Sequence, residues 1–404
     1  MSSNPVRRIV SVDQFRGYTV AGMFLVNFLG ELAVTHQVLK HNNTHFSYAD
    51  SIMPSFFFIC GFSFRYTFLR RIGELGWARC AGRIVKRSLA LILVSVMVYG
   101  FNELIATWKG VSPKSAEEFL AVLLKANLWE VLALIGAVQL LLLPVIASSP
   151  RVRVAVLVVL GVLHVLLSWS FNYDFVYGRP NWMDPLWGTV GKRAWDGGFF
   201  GLISWAEVML AGTLAHDVVV SRSPQVACRR LVAWGAALMI AGYVLSCLAT
   251  LYGPTDGSPK DKMAVSPVVP PFANVSEHSW TSLLAAPPFV PPPPPEVQPP
   301  NYWMMDKRVV TQPFVLFSTG FAAALFGLFV VTCDAWGWQL GLFRTFGQNP
   351  LAAYIIHHFV AHSILGVVPR DSPLWWALMG LAVFFGVTWL FVRSLEKHGL
   401  YLRL

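Results

Sequence analysis

Apolar runs of about 20 residues recur along this chain, and a helix of that length crosses the ~30 Å hydrocarbon core of a bilayer. No other feature constrains the fold as strongly, because backbone polar groups in lipid must be satisfied within their own segment. Composition agrees: 55% of the 404 residues are hydrophobic and 13% charged, against about 25% charged in a soluble domain. The 16 Trp and 29 Phe suit lipid-facing and interfacial positions. A net charge of +10 comes without a basic domain to bind nucleic acid and is assigned to cytoplasmic loops. The expectation is an all-α, polytopic bundle forming a single transmembrane domain, residues 1–404, in the cell (inner) membrane.

About ten spans are expected, near 16–34, 50–70, 85–106, 126–147, 152–171, 200–220, 229–251, 312–333, 347–367 and 373–394. The segment 336–346 (WGWQLGLFRTF) is too short to cross and is expected at the surface. Lys and Arg set the orientation. Arg7, Arg8 and Arg16 fall on one side with Arg70, Arg71, Arg79, Arg83, Lys86 and Arg87, and so do Arg151, Arg153, Arg222, Arg229, Arg230, Arg344, Arg393, Lys397 and Arg403. Both termini are thereby expected in the cytoplasm. The N-terminal MSSNPVRRIVSVDQFRG has no apolar core ending in a small-residue cleavage site, so no signal peptide is expected. The five cysteines fall in spans or on the cytoplasmic side, without a CxxC pattern, so no disulfide framework is expected. Of the outer loops, 107–125 is expected to hold a short surface helix. The long loop 252–311, with PPFVPPPPPEVQPP, is expected to be an extended, stiff, solvated spacer.

The chemistry concentrates in residues 9–71, where two apolar runs flank a connector bearing His36, His41 and His45. Histidine shuttles protons or attacks a carbonyl near neutral pH. His41 follows Asn27 by fourteen positions and precedes Asp50 by nine. Asp50, at the start of a helix, can accept from an imidazole N–H and fix its tautomer; equally, it can simply cap its own helix. Asn27 can donate to a carbonyl oxygen that gains charge, or bond a neighbouring helix. Residue types alone weigh these readings evenly.

SVDQFRG, a span with a central Asn, a His-bearing outer loop and then DSIMPSFFFICG resemble the opening of the heparan-α-glucosaminide N-acetyltransferase family. The matching positions are Ser11, Val12, Asp13, Phe15, Arg16 and Gly17; Val26 and Asn27; His41; and Asp50, Pro54, Phe56, Phe58 and Gly61. Two later stretches, Trp195–Val219 and Phe346–Ile356, are similar to further blocks of that family. The resemblance implies a membrane acyltransferase that takes an acetyl group from cytoplasmic acetyl-CoA, or another acyl-CoA, to a saccharide or related envelope acceptor on the far side, without a metal. It implies that the active histidine is His41, with His45 as the alternative. The family's W-N-G or W-H-G element is absent, NNTHFSY standing there, and glucosamine is not carried over as acceptor.

Coenzyme A carries several phosphate charges, which Arg16, Arg70, Arg71 and Arg83 can hold, while these arginines equally satisfy the positive-inside rule. Asp13 stands one turn from Arg16 and can pair with it. Asn349, at the expected cytoplasmic end of its span, is a further candidate contact for the coenzyme. On the outer side Asp196, in the WDGG turn, is a candidate sugar contact. His358 and His362 lie one turn apart and suit a polar lining of the acceptor pocket better than a metal site. His164 is expected to be a hydrogen-bonded interior residue. A homo-oligomer is compatible with all of this. Two other classes remain: a secondary transporter, against which no paired broken helices are visible, and a scaffold acting through the proline-rich loop.

Overall fold

The computed structural model describes residues 9–100, 113–253, 263–277 and 279–402. Arg7, Arg8, Arg403 and the segments 101–112 and 254–262 lie outside the described residues. Among those described, the chain is helical and contains no strand. The first half holds α1 (Val10–Gly30), α2 (Tyr48–Leu75), α3 (Trp77–Ser95), α4 (Pro113–Val122), α5 (Val131–Leu142), α6 (Pro150–Leu167), and the short α7 (Tyr173–Tyr177) and α8 (Met183–Trp187). The second half holds α9 (Gly201–Ser221), α10 (Pro224–Ser246), α11 (Gln312–Phe329), α12 (Gly341–Gln348), α13 (Pro350–Leu365) and α14 (Leu374–Lys397).

Among the described residues, six helical stretches are long and apolar enough to cross a membrane, and a seventh is added if the bent pair Ala116–Asn127 and Val131–Val145 is one span. The protein is a multi-pass membrane protein, and the described residues do not confirm the expected count of ten spans. Three expected spans are not matched in full. α1 carries Asp13, Gln14, Arg16 and Asn27, and α3 carries Arg79, Arg83, Lys86 and Arg87; of these, Asp13, Arg16, Asn27, Arg83, Lys86 and Arg87 line cavities inside the protein. The span expected over 85–106 also runs into 101–106, outside the described residues, and α13, although apolar, is only 16 residues long.

The fourth departure is a break. A straight span over 126–147 was expected, yet the helix bends by 79° between Asn127 and Val131. Glu130 there takes extended backbone, and its carbonyl starts α5 by accepting from the Leu134 N–H. A carboxylate at the centre of a lipid-facing helix costs about 2.5–3.5 kcal/mol; the break turns it into a polar cavity instead.

Glycines set the closest helix crossings. A Cβ on Gly17 would fall 1.8 Å from the Phe343 carbonyl oxygen, and one on Gly347 would fall 1.9 Å from that of Asp13. The short helix α12, expected only to lie at the surface, is thus pressed against the first turns of α1. Gly61 and Gly212 make the same kind of reciprocal contact between α2 and α9, with the Met209 and Phe58 carbonyls. Small residues at crossings of this kind let backbones meet in a bundle. Arg65 and Arg153 both bond Asp217, tying α2 and α6 to α9.

The proline-rich loop is not a free extended spacer. It turns back on itself, with Val290 N–H bonded to the Pro287 carbonyl at 2.8 Å and Val297 N–H to that of Pro294 at 2.9 Å. It docks on the histidine connector: Phe46 N–H donates to the Pro288 carbonyl at 2.8 Å, and the Phe46 ring meets Phe289 edge-on at 5.5 Å. Composition pointed to solvation, but the apolar Phe289 within the run finds Phe46 and Phe317 to pack on. Farther along, the buried Tyr302 hydroxyl lies 3.0 Å from His164 Nδ1, so His164 is indeed a bonded interior residue.

Candidate active site

Ser47 caps α2 by accepting from the Asp50 N–H at 3.2 Å. The cap fixes Asp50 in the first turn, fully buried. The Asp50 carboxylate is met by His41 Nδ1 at 2.8 Å, the Asn42 N–H at 3.2 Å and the Ser47 hydroxyl at 2.8 Å. A carboxylate only accepts, so Nδ1 carries the imidazole proton and Nε2 is left as the basic nitrogen. The His41 side chain itself is 44% exposed. Position-locked by a buried acid and reachable from a cavity, it has the geometry of a base or nucleophile.

That cavity, about 220 Å³, is lined by His41 together with Asn27, Glu130, Asp196, Lys307 and His358. Lys307 reaches Asp196 at 3.1 Å. Burial alone would push the Lys307 ammonium down; the carboxylates of Asp196, Asp50 and Glu130 outweigh it and hold the pKa above the ordinary lysine value. Lys307 arrives on a tight turn of the long loop. There the Asp306 carboxylate accepts from the Arg308 N–H at 2.7 Å, and the Arg308 carbonyl accepts from the Gly197 N–H at 2.7 Å. Asp196 sits at φ 51°, a left-handed conformation that asparagine and aspartate tolerate best among non-glycine residues.

A second cavity, about 800 Å³, is lined by Arg16, Arg71, Arg83, Lys86 and Arg87. A smaller neighbour of about 430 Å³ is lined by Asp13, Arg16 and Arg70. Arg16 is shared by both. Its guanidinium donates to the Gly347 carbonyl at 3.1 Å and to Ser63 at 2.8 Å, and lies 3.6 Å from Asp13. From Asp50 to Arg71, α2 rises roughly 30 Å, so the acidic and basic ends of this helix are separated by about one hydrocarbon thickness. Between them, Phe56 of α2 and Tyr354 of α13 line both the His41 cavity and the large basic one.

The fold therefore brings His41, Asn27, Asp196 and His358 to one cavity, with Asp50 buried behind His41, and Asp13, Arg16, Arg70, Arg71 and Arg83 to the other two. Three candidates fall elsewhere. His45 lies beside Thr44, 3.1 Å away, and faces a water-sized crevice under the proline-rich loop; burial lowers its pKa, with Asp50 only partly opposing. His362 is exposed and does not line the cavity, whose wall on α13 ends one turn earlier at His358. Asn349 is buried, its amide bonded to the Leu400 carbonyl at 3.0 Å and the Leu402 N–H at 3.1 Å. It pins the C-terminal segment, whose Leu402 lines the basic cavity, and does not line that cavity itself. Sequence reasoning missed Glu130, Lys307, Phe56 as a shared wall, and Tyr354.

A family model described as heparan-alpha-glucosaminide N-acetyltransferase, catalytic, matches residues 8–245, more than half of the chain. No curated protein matches the chain.

Proposed function

The chain belongs to the heparan-α-glucosaminide N-acetyltransferase catalytic family, and from that membership we propose a membrane acetyltransferase that uses acetyl-CoA on its basic side and serves an acceptor amine at the His41 cavity. The basic side is the cytoplasmic one, as the positive-inside rule requires, and the acceptor is an envelope saccharide or related molecule. The observation that carries this reading is the pair of cavities that share Phe56 and Tyr354 as wall. One offers five cationic side chains to the phosphates of coenzyme A; the other offers the imidazole held by Asp50.

In this reading the thioester end of the donor passes Phe56 and Tyr354 to reach His41. Asn27 donates to the carbonyl oxygen as it gains charge. His41 Nε2 either takes the acetyl group and hands it on, or takes a proton from the acceptor while the nitrogen attacks the thioester directly. Asp50 stabilises the positive imidazole in both. Rapid quench without acceptor separates the two: an acetylated protein forms only in the first.

The test uses the purified full chain, labelled acetyl-CoA, and glucosamine as acceptor probe. The His41→Ala variant should lose at least about 10³-fold in transfer rate, while coenzyme A still raises its thermal midpoint. The His45→Ala variant should stay within about twofold of wild type. Full activity of a well-folded His41→Ala protein would refute the assignment. A wild-type protein stabilised by a small solute or ion but not by coenzyme A would favour transport.

A further inference from the structure

Glu130 lines the His41 cavity from the break between α4 and α5. Its backbone starts α5, but its side chain makes no capping bond. Among the described residues, no hydrogen bond or ion pair engages its carboxylate. The other carboxylates of this region are committed: Asp50 to His41, Asn42 and Ser47, and Asp196 to Lys307. The cation of the cavity is thus held by Asp196, and one carboxylate is left facing open space. Glu130 shares the field of Lys307 with Asp196 and Asp50 but makes no direct contact with it; a half-buried carboxylate held only at a distance is costly to keep unless something brought to the cavity uses it.

An amine acceptor arrives protonated at neutral pH and cannot attack until it loses a proton. The imidazole of His41 cannot meet this need alone, because it has a second proton or an acetyl group to manage. We propose that Glu130 is a second base of the site, taking the first proton from the acceptor ammonium. The proposal rests on the acetyltransferase reading above and adds a catalytic residue to it. The step balances as follows. The acceptor R–NH3+ gives one proton to the Glu130 carboxylate and becomes R–NH2. Its nitrogen lone pair forms the N–C bond to the acetyl carbonyl carbon, and the C–S bond breaks. His41 Nε2 takes the second N–H proton and delivers it to the coenzyme A sulfur. The products are the acetamide, the free thiol and protonated Glu130, which releases its proton to water. If His41 carries the acetyl group first, coenzyme A leaves as the thiolate and takes a proton from water; the amine then attacks the acetyl-imidazolium, the C–N(imidazole) bond breaks, and the second N–H proton goes to the freed Nε2, which releases it to water.

The ionisable groups facing Glu130 across the cavity are His41, Asp196, Lys307, Tyr354 and His358, with Asp50 behind His41. Lys307 is the cation among them, and its bond to Asp196 sets its place.

The experiment compares wild type and Glu130→Gln, full chain, with labelled acetyl-CoA and glucosamine from pH 6 to 10. Removing a general base costs about 10²–10⁴-fold. The expected result is a loss of about 100-fold or more near pH 7 that shrinks as the pH rises and solvent deprotonates the amine, with stabilisation by coenzyme A unchanged. Two results overturn the proposal: a rate within about tenfold of wild type at pH 7, or a loss that persists undiminished at high pH, which would make Glu130 a structural residue. If the wild-type protein fails to acetylate glucosamine or any amine tried, while binding coenzyme A, the underlying reading fails with it. That outcome is distinguishable because it appears before any substitution is made.

Discussion

Asp50→Asn tests the arrangement around His41 with a change of one atom. Asp50 is fully buried, and one of its oxygens receives the Asn42 N–H at 3.2 Å and the Ser47 hydroxyl at 2.8 Å. In the asparagine variant the main-chain N–H of residue 42 can bond only an oxygen, so the amide oxygen stays there and the NH2 group turns to His41. Nδ1 then has to accept, the imidazole proton moves to Nε2, and the nitrogen facing the chemistry ceases to be basic. Two losses combine. A hydrogen bond to a charged group is removed, worth about 1.5–3 kcal/mol, or roughly 10- to 150-fold at 1.36 kcal/mol per decade. The wrong tautomer adds a further penalty; the same substitution in a serine-protease triad lowers kcat by about 10⁴. The expected fall in kcat is therefore about 10²–10⁴. On the proposed reading the KM for acetyl-CoA should stay within about threefold, because the arginines assigned to its phosphates line a different cavity.

Steady-state transfer of labelled acetyl groups to glucosamine, at several acetyl-CoA concentrations, separates kcat from KM. Ser47→Ala supplies the control. It removes the α2 cap, at about 1 kcal/mol of stability, but leaves a carboxylate on His41, so kcat should stay within about tenfold of wild type. A kcat for Asp50→Asn within fivefold of wild type, or a parallel collapse in Ser47→Ala, would refute the reasoning.

The double substitution Arg71→Ala and Arg83→Ala removes two cations from the basic cavity; at about 1.5–3 kcal/mol per charged contact, affinity for coenzyme A should fall at least tenfold, read from the dose dependence of the thermal midpoint. Gly347→Ala forces a methyl group to within 1.9 Å of the Asp13 carbonyl; overpacking of this kind costs about 1–3 kcal/mol, so both the thermal midpoint and the response to coenzyme A should drop, whereas Gly341→Ala, with open space around it, should change neither. Burial raises the Asp306 carboxyl to about 6, with bonds from Tyr177 and two main-chain N–H groups pulling the other way. A group that binds its proton more tightly when folded stabilises fully below its unfolded value, near 3.9, and that contribution is lost as pH rises through about 6. The thermal midpoint should carry a decline between about pH 4 and pH 6 that is missing in Asp306→Asn.

The contact between His41 and Asp50 was legible in the sequence because it is local. The two sit in one connector and one first turn, so loop length brings them together without help from the rest of the chain, while the Ser47 cap that fixes Asp50 went unread. The basic cavity was legible because membrane orientation forces arginines to one end of α2 and α3. What failed was everything assembled across the bundle. Lys307 reaches the cavity from a loop that composition marks as solvated, and Glu130 from a break that no Gly or Pro announces. His45 stood as the alternative to His41 in the sequence, and the docked proline-rich loop puts it in a separate crevice. The ten expected spans are not confirmed for a related reason: α1 and α3 carry polar groups that line cavities, so length and hydropathy among the described residues do not mark them as crossing.

The shared wall of Phe56 and Tyr354 has a consequence beyond chemistry. On the proposed reading, this protein offers a route between the two faces of a membrane that stores an ion gradient, and any continuous thread of water through it would discharge that gradient. On that reading the two aromatic side chains lining both cavities would have to keep the bilayer electrically tight while a slim acyl arm slips between them. Widening that point, as with Phe56→Gly, should therefore admit bulkier donors and, in sealed vesicles, let protons leak.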